Sequence, residues 1–403
     1  MNILFLTHYF PPEGNAPASR TYENAKRWVK AGHEVRILTC VPNCPDGIIY
    51  PGYQNRFFQR ERMDGIEVLR VWTWLAPNKG HARRILNYLS YMVMAMMVGL
   101  FLRKPDIMIA TSPQFFCGIA GMVLKKIRRF RFILEIRDIW PESITTVGAM
   151  KKGWIISFLE WLEKAMYRSA DHIVAVGEGY RQNILSKGVT EKKTSVIYNG
   201  ADLEKYIPGD RDNAFSKRYG LDARKRIGYI GTVGMAHGLE VMLRAAQKTL
   251  STNWTWMIVG DGARQEALEK EANRMGLTNL VFTGRLPKEE MPLVWSSLDI
   301  CFIHLKKSDL FSTVIPSKMF EAMAMEKPIL MGVLGEAGDI LERSGAGFVV
   351  EPENEDALID KVNFLFSSPE SMLEMGKKGR SFVRQEFNRD NLAEEYLKRI
   401  QEI

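Results

Sequence analysis

Pro316-Ser317-Lys318-Met319-Phe320-Glu321 opens an apolar helical run with a lysine and a glutamate one turn apart. A helix starting there points free N–H groups and its positive dipole end outward, where anions gather. Lys318 adds a cation in the first turn. Glu321 can accept two hydroxyl hydrogens at once, which suits a ribose diol. A diphosphate at the helix tip and a ribose one turn down is the spacing of a nucleotide. The bland alternative is a surface helix with solvated charges.

Five more loops carry chemistry-bearing residues. In His8–Arg20, "HYFPPEGNAPASR", two prolines stiffen the chain and Gly14 lets backbone approach a ligand. It lacks the G-x-G-x-x-G spacing of a dinucleotide site, which argues against NAD. In Arg137–Ser143, "RDIWPES", Asp138 can take a proton or orient a hydroxyl, beside a wall of Trp140 and Pro141 suited to a sugar ring. In Tyr229–Glu240, Gly231 and Gly234 expose backbone N–H groups and His237 stands before a helix, a cradle for phosphate. In "VGDGAR", Arg264 is placed to pair with a phosphate. Arg285 and Leu286, in "FTGRLP", sit where main-chain groups read a nucleobase. Each loop alone also reads as ordinary surface or as a helix cap.

These loops need a scaffold that brings strand ends together. The apolar runs ILFLT, EVRILT, EVLRVW, DIMIAT, RFILEI, HIVAVG and TSVIYNG alternate with helical patterns. The first helix is expected from about Arg20 to Gly32, a C-terminal glycine. A polar, loop-rich stretch, Ala201 to Arg226, breaks the series. A second series follows: RIGYIGTV, TWMIVGDG, NLVFTG, DICFIHL and PILMGV. Two such series predict an α/β fold of two doubly wound, Rossmann-like domains, with ligands at the carboxyl ends of the strands in the cleft they face. The expected domains are residues 1–205 and 206–387, with a terminal helix 388–403 crossing back to the first.

The 403 residues have 46% hydrophobic and 25% charged content, an ordinary globular balance. The net charge of +8 fits a polyanionic substrate or an anionic membrane surface. No nucleic-acid motif accompanies it, so no nucleic-acid partner is expected. Cys40, Cys44, Cys117 and Cys301 are scattered without metal-ligand spacing, which argues against zinc or a disulfide framework and fits a reducing cytoplasm. The N-terminus runs straight into a strand and does not read as a signal peptide. Ile85–Leu102 is nearly all apolar between Arg83, Arg84, Arg103 and Lys104. With "MVLKKIRRFRF" and "KKGWIISFLEWLEKAMYR" it reads as one membrane-facing side of the first domain, as core helices with basic faces, or, at a borderline length of 18 residues, as a true membrane span.

Taken in order, "HYFPPEGNAPASR", "KAGHEVRILT", "RDIWPES", "VIYNGAD", "YIGTVGMAHGLE", "VGDG" and "PSKMFEAMAMEKPIL" resemble the GT-B glycosyltransferases of family 4, over nearly the whole chain. Within it, "RDIWPES" and "PSKMFE" are similar to the N-acetyl-L-fucosaminyltransferases of bacterial O-antigen and capsule assembly. The resemblance implies retaining transfer from a UDP-sugar, without a metal or other cofactor, to an undecaprenyl-diphosphate-linked saccharide. The enzyme would lie peripherally on the inner face of the bacterial cytoplasmic membrane, and domain closure would exclude water.

The family's E-x7-E places its second Glu at Glu321, but its first falls on Thr313. The family's Arg and Lys for the diphosphate fall near Thr232 and His237. The charge then has to come from Arg264, Lys318, helix tips and backbone amides. The resemblance implies nucleotide and diphosphate contacts from Gly231, Gly234, His237, Arg264, Arg285, Leu286, Ser317, Lys318 and Glu321, with donor-sugar contacts from Gly14, Thr313 and Pro316. Asp138 takes the catalytic position and Glu13, Asn15, Arg20 and Trp140 face the acceptor. Two other readings stay open: a UDP-sugar 2-epimerase of the same fold, and a non-catalytic nucleotide-binding scaffold at the membrane.

Overall fold

The computed structural model describes residues 1–77, 81–112, 114–146, 153–221 and 224–403. Lys151 and Lys152, counted above in the basic apolar face, lie outside them. The chain divides into two units, Met1–Tyr198 with Asp390–Ile403, and Asn199–Arg389. The first division falls before residue 205 because Ala201 is tied to the far end of the second unit. Its N–H donates to the Phe387 carbonyl at 3.0 Å, and the Arg389 N–H donates to the Ala201 carbonyl at 3.1 Å.

The first unit contains β1 (Asn2–Leu6), β2 (Glu34–Cys40), β3 (Phe58–Met63), β4 (Ile66–Val71), β5 (Ile107–Thr111), β6 (Arg131–Ile136), β7 (His172–Ala175) and β8 (Thr194–Val196). Their order in the sheet is β3-β4-β2-β1-β5-β6-β7-β8. All neighbours are parallel except β3 and β4. Helices cover both faces, so the central strands are continuous apolar runs. The order reverses beside β1, which pairs with both β2 and β5. Loops splay apart at such a switch and leave a crevice beyond the strand ends.

β3 is absent from the sequence reading because Phe58–Met63 is polar and half exposed, as an edge strand is. A two-residue turn of Asp64 and Gly65, with φ of 48° and 79°, folds it onto β4. The first helix spans Ala16–Lys30 and so starts before Arg20; the Asn15 side chain caps it and Pro17 stands in its first turn.

The helix His81–Phe101 is long and apolar enough to cross a membrane by length and composition. Its inner side nevertheless docks on the first unit. Tyr88, Tyr91, Met94 and Ala95 are buried, and the Tyr91 hydroxyl donates to the Leu38 carbonyl at 2.8 Å. It packs on the helix Phe115–Arg128 so closely that a Cβ on Gly99 would lie 2.7 Å from Leu124 Cδ1. The terminal helix Arg389–Glu402 seals the same unit elsewhere. Trp28 Nε1 donates to the Ala393 carbonyl at 3.0 Å, and Tyr396 meets the Trp28 ring edge-on at 5.3 Å.

The second unit contains β9 (Lys225–Ile230), β10 (Trp254–Val259), β11 (Leu280–Gly284), β12 (Ile300–His304), β13 (Ile329–Gly332) and β14 (Gly347–Val349). They form a parallel sheet in the order β11-β10-β9-β12-β13-β14, with the switch between β9 and β12. β14 is missing from the sequence reading because three residues carry too little pattern.

Candidate functional site

In the second unit the loops after β9 and β10 interlock through glycine. Gly260 has a φ of 135°, and a Cβ there would stand 1.9 Å from the Gly231 carbonyl oxygen. A Cβ on Gly262 would lie 2.4 Å from the Val233 oxygen. Side chains are excluded at both places, so backbone packs on backbone. The Val233 N–H donates to Asp261 O, and the Arg264 N–H donates back to Val233 O, both at 3.0 Å.

Lys318 reaches under this pair of loops. Its Nζ lies 3.6 Å from the centroid of the Tyr229 ring, is buried, and has no hydrogen-bond partner. Gly231 covers it: a Cβ there would lie 2.6 Å from Nζ. Burial lowers the Lys318 pKa to about 7, against the opposing pull of Cys301 and Glu321. A buried ammonium held only by an aromatic face lacks its acceptors. An anion at the Gly231 loop would supply them. Tyr229 is fixed in turn, its hydroxyl donating to the Thr232 carbonyl at 2.6 Å.

His237 does not supply the missing loop cation. Burial, with the nearby Lys318 charge, lowers its pKa to about 3, so the ring is neutral. Its Nδ1 accepts from the Gly234 N–H at 3.3 Å, which shapes the loop. His304, at the end of β12, braces it from behind. His304 Nδ1 donates to the His237 carbonyl at 2.6 Å, and Nε2 accepts from the Glu353 N–H at 2.8 Å. Those two partners fix a neutral tautomer with the proton on Nδ1.

The other residues of this unit divide. Glu321 faces Tyr206, whose hydroxyl hydrogen-bonds the carboxylate; burial, then the Glu321 charge, raises the tyrosine pKa. A carboxylate has lone pairs left for a diol. Arg264 is paired with Glu240 at 2.7 Å, so a phosphate would have to compete for it. Arg285 stands 3.8 Å from Asp261, half exposed, and Leu286 is half-buried beside it. Thr313, at the position of the family's first Glu, turns its hydroxyl inward to the Leu310 carbonyl at 2.7 Å. Ser317 precedes the helix Lys318–Ala324 without a side-chain cap, and the Pro316 carbonyl accepts from the Met319 N–H at 3.0 Å.

In the first unit Asp138 stands just beyond the end of β6. The Ser112 hydroxyl oxygen, beyond β5, accepts from the Arg137 N–H at 2.7 Å and the Asp138 N–H at 3.3 Å and so sets the turn. The Ser143 hydroxyl donates to Asp138 Oδ2 at 3.3 Å. Burial raises the Asp138 pKa to about 6, against the hydrogen bonds to its carboxylate from Ser143, the Ile139 N–H and the Trp140 side chain. A carboxylate of that value suits proton transfer near neutral pH. Trp140 stacks on Phe115, with centroids 6.0 Å apart and planes at 24°.

Three residues expected at the acceptor are engaged within the first unit. Arg20 is an interior residue: its guanidinium donates to Glu135 at 3.2 Å and to the carbonyls of Tyr198 and Ile197 at 2.8 and 2.9 Å. Asn15 spends its side-chain oxygen on the Ala18 N–H at 2.9 Å. Glu13 is buried, and its Oε1 accepts from the N–H groups of Asn43 and Cys44, each at 2.9 Å. Burial raises the Glu13 pKa to about 7, and Oε2 has no partner. Gly14 is exposed. Tyr229 and Tyr206 escaped the sequence reading. Nothing in their spacing marks them, because each meets its partner only through space.

Two family models match the chain in succession: a glycosyl transferase 4-like domain over residues 15–200, and glycosyl transferases group 1 over residues 211–382. The putative colanic acid biosynthesis glycosyl transferase WcaI of Escherichia coli (strain K12) is 24% identical over 411 residues, covering 99% of this chain and 100% of that protein. The probable glycosyltransferase WbjE of Pseudomonas aeruginosa is 26% identical over 290 residues, covering 71% of this chain and 72% of that one. Among solved structures, Anabaena Alr3699/HepE in complex with UDP and glucose superposes with a TM-score of 0.74 at 16% identity, over 100% of both chains. With both units doubly wound and both family models matched in order, the chain belongs to the glycosyltransferases of GT-B fold.

Proposed function

We propose that the enzyme moves an N-acetylated deoxyhexosamine, such as N-acetyl-L-fucosamine, from a UDP-sugar to an undecaprenyl-diphosphate-linked saccharide, with retention, in O-antigen or capsule assembly. The observation that carries the donor half is the unpartnered Lys318 ammonium beneath Gly231. The donor diphosphate completes its hydrogen bonds, and Glu321, one turn on, takes the ribose. The UDP in the HepE structure supports the nucleotide. The name of the colanic acid relative supports polysaccharide assembly. The reading assigns the diphosphate charge to protein groups rather than to a metal. Asp138 accepts the proton of the reacting acceptor hydroxyl, or orients that hydroxyl, as its oxygen bonds to the sugar and the bond from sugar to diphosphate breaks to release UDP.

The acceptor half rests on an apolar face of the first unit. On the helix His81–Phe101, Leu86, Val93, Met97 and Phe101 are exposed, Phe101 by 89%. On the helix Trp154–Ser169, Trp154 is 80% exposed, and the exposed Phe158 and Trp161 rings stack at 5.9 Å. Exposed Arg103, Lys104 and Lys126 accompany them. Aromatic and aliphatic groups with basic neighbours suit the headgroup region of an anionic bilayer. This face would seat the enzyme peripherally on the inner surface of the cytoplasmic membrane, where a lipid-linked acceptor is found.

Thermal unfolding with UDP, GDP, dTDP and NAD, then with UDP-N-acetyl-L-fucosamine, tests the reading. Ligand at 100-fold over Kd stabilises by about 2.7 kcal/mol. UDP is expected to raise the midpoint and UDP-N-acetyl-L-fucosamine to raise it further. No shift with any nucleotide would remove the nucleotide site at Lys318 and Glu321.

A further inference from the structure

Directly behind Asp138 and Trp140 lies a small cavity of about 20 Å³. Phe115, Gly118, Leu134, Ile136, Trp140 and Met166 form its apolar wall. Each of its polar neighbours Ser112, Asp138 and Glu163 already holds hydrogen bonds within the first unit. Ser112 Oγ accepts from two backbone N–H groups, and Asp138 Oδ2 accepts from Ser143. Glu163 Oε1 accepts from the Tyr167 hydroxyl and from Lys187, each at 2.7 Å. The volume exceeds the roughly 10–15 Å³ that one water needs, but a water also needs two to four polar partners. A sugar hydroxyl seated against the apolar wall would lose hydrogen bonds to water that Phe115, Leu134, Ile136 and Met166 cannot replace. A methyl group loses nothing there.

We propose that this cavity is a specificity subsite for a methyl-sized apolar substituent on the saccharide that meets Asp138. The inference rests on the reading that Asp138 faces that saccharide, and it names what the saccharide must carry. Two sugar groups offer the chemistry: the methyl of an acetamido group and the C6 methyl of a 6-deoxy sugar. With the acetamido group, the amide N–H has an acceptor in the Asp138 carboxylate at the cavity rim. Discrimination of about tenfold against the sugar lacking the methyl is the scale expected of one methyl in an apolar pocket.

Gly118 gives a way to close the subsite. A Cβ there would lie 2.6 Å from Met166 Sδ, the far part of a flexible side chain that lines the cavity. Gly118→Ala therefore pushes Met166 inward, and Met166→Ala widens the space. The test is saturation-transfer NMR on the full chain with the methyl glycoside of 2-acetamido-2,6-dideoxygalactose, which carries both methyls in one molecule. Saturation should concentrate on one methyl, and the choice identifies the source. It should fall to the level of the ring protons in Gly118→Ala. Met166→Ala should accept the N-propionyl analogue (if the acetamido methyl is the occupant) or a C6-ethyl analogue. Even saturation over the ring, no saturation of either methyl, or a pattern unchanged in Gly118→Ala would overturn the subsite. UDP stabilisation in the same samples keeps the outcomes apart: it tests the donor site, which Gly118 does not touch.

Discussion

Lys318 behaves unlike a surface lysine because its ammonium is buried against Tyr229 with no acceptor. Its folded pKa of about 7 lies below the ordinary 10.5, so the fold disfavours the charged form. Stability is then lost as pH falls from the unfolded value, fully so below about 7. A diphosphate reverses the preference, because it favours the protonated amine. UDP affinity should therefore fall as pH rises above about 7, past the second ionisation of the terminal phosphate at about 6. Lys318→Met should flatten that dependence and weaken UDP by about 2 kcal/mol, roughly thirtyfold. Calorimetric titration between pH 7 and 9 reads both, and a Lys318→Met protein with wild-type affinity would take the residue out of the donor site. Asp138→Asn makes the complementary case in the first unit. It should keep the UDP thermal shift while transfer drops by about a hundredfold or more. Wild-type turnover should rise with pH through about 6, as the Asp138 carboxylate forms.

The working elements are strand-end loops held by backbone contacts. Gly260 is the tightest point, where the loops after β9 and β10 touch. Gly260→Ala forces a side chain into a positive φ and into the Gly231 carbonyl at once. A loss of about 3 kcal/mol or more is expected, read by urea denaturation, with UDP stabilisation lost even where the variant folds. In the first unit the exposed row of Trp154, Phe158 and Trp161 should act as an anchor. Replacing all three by serine should release the protein from vesicles rich in anionic lipid. The UDP shift should stay as it was. Vesicle binding equal to wild type would show that this helix is no anchor.

At the scale of the whole molecule, the chain leaves its first unit at Tyr198 and returns to it at Asp390. The terminal helix brings Tyr396, Leu397 and Ile400 into a core with Trp28, Ile133 and Val174. Tyr396→Ala should cost about 3–5 kcal/mol, the range for emptying a buried aromatic site. The loss belongs to the first unit. Urea unfolding followed by Trp28 should shift, while stabilisation by UDP should persist in the second unit. A shift of the second unit to the same extent would show that the two unfold as one.

The alternation of apolar runs with helical patterns was enough to read two doubly wound units from sequence, because strand and helix periodicities are local. The glycines after the strands and the run from Pro316 to Glu321 were legible for the same reason. The ordered set of loop motifs carried the family. Burial and pairing belong to tertiary structure. Arg20 and Glu135, 115 positions apart, neutralise each other in the interior, and only their contact removes Arg20 from the acceptor side. Asn43 and Cys44 decide the environment of Glu13, and Tyr229 that of Lys318. β3, the cavity behind Asp138 and the neutral state of His237 likewise arise from residues brought together by the sheet. A charge, a tautomer or a void is set by what surrounds it in space, and sequence spacing holds that information only within a turn or two.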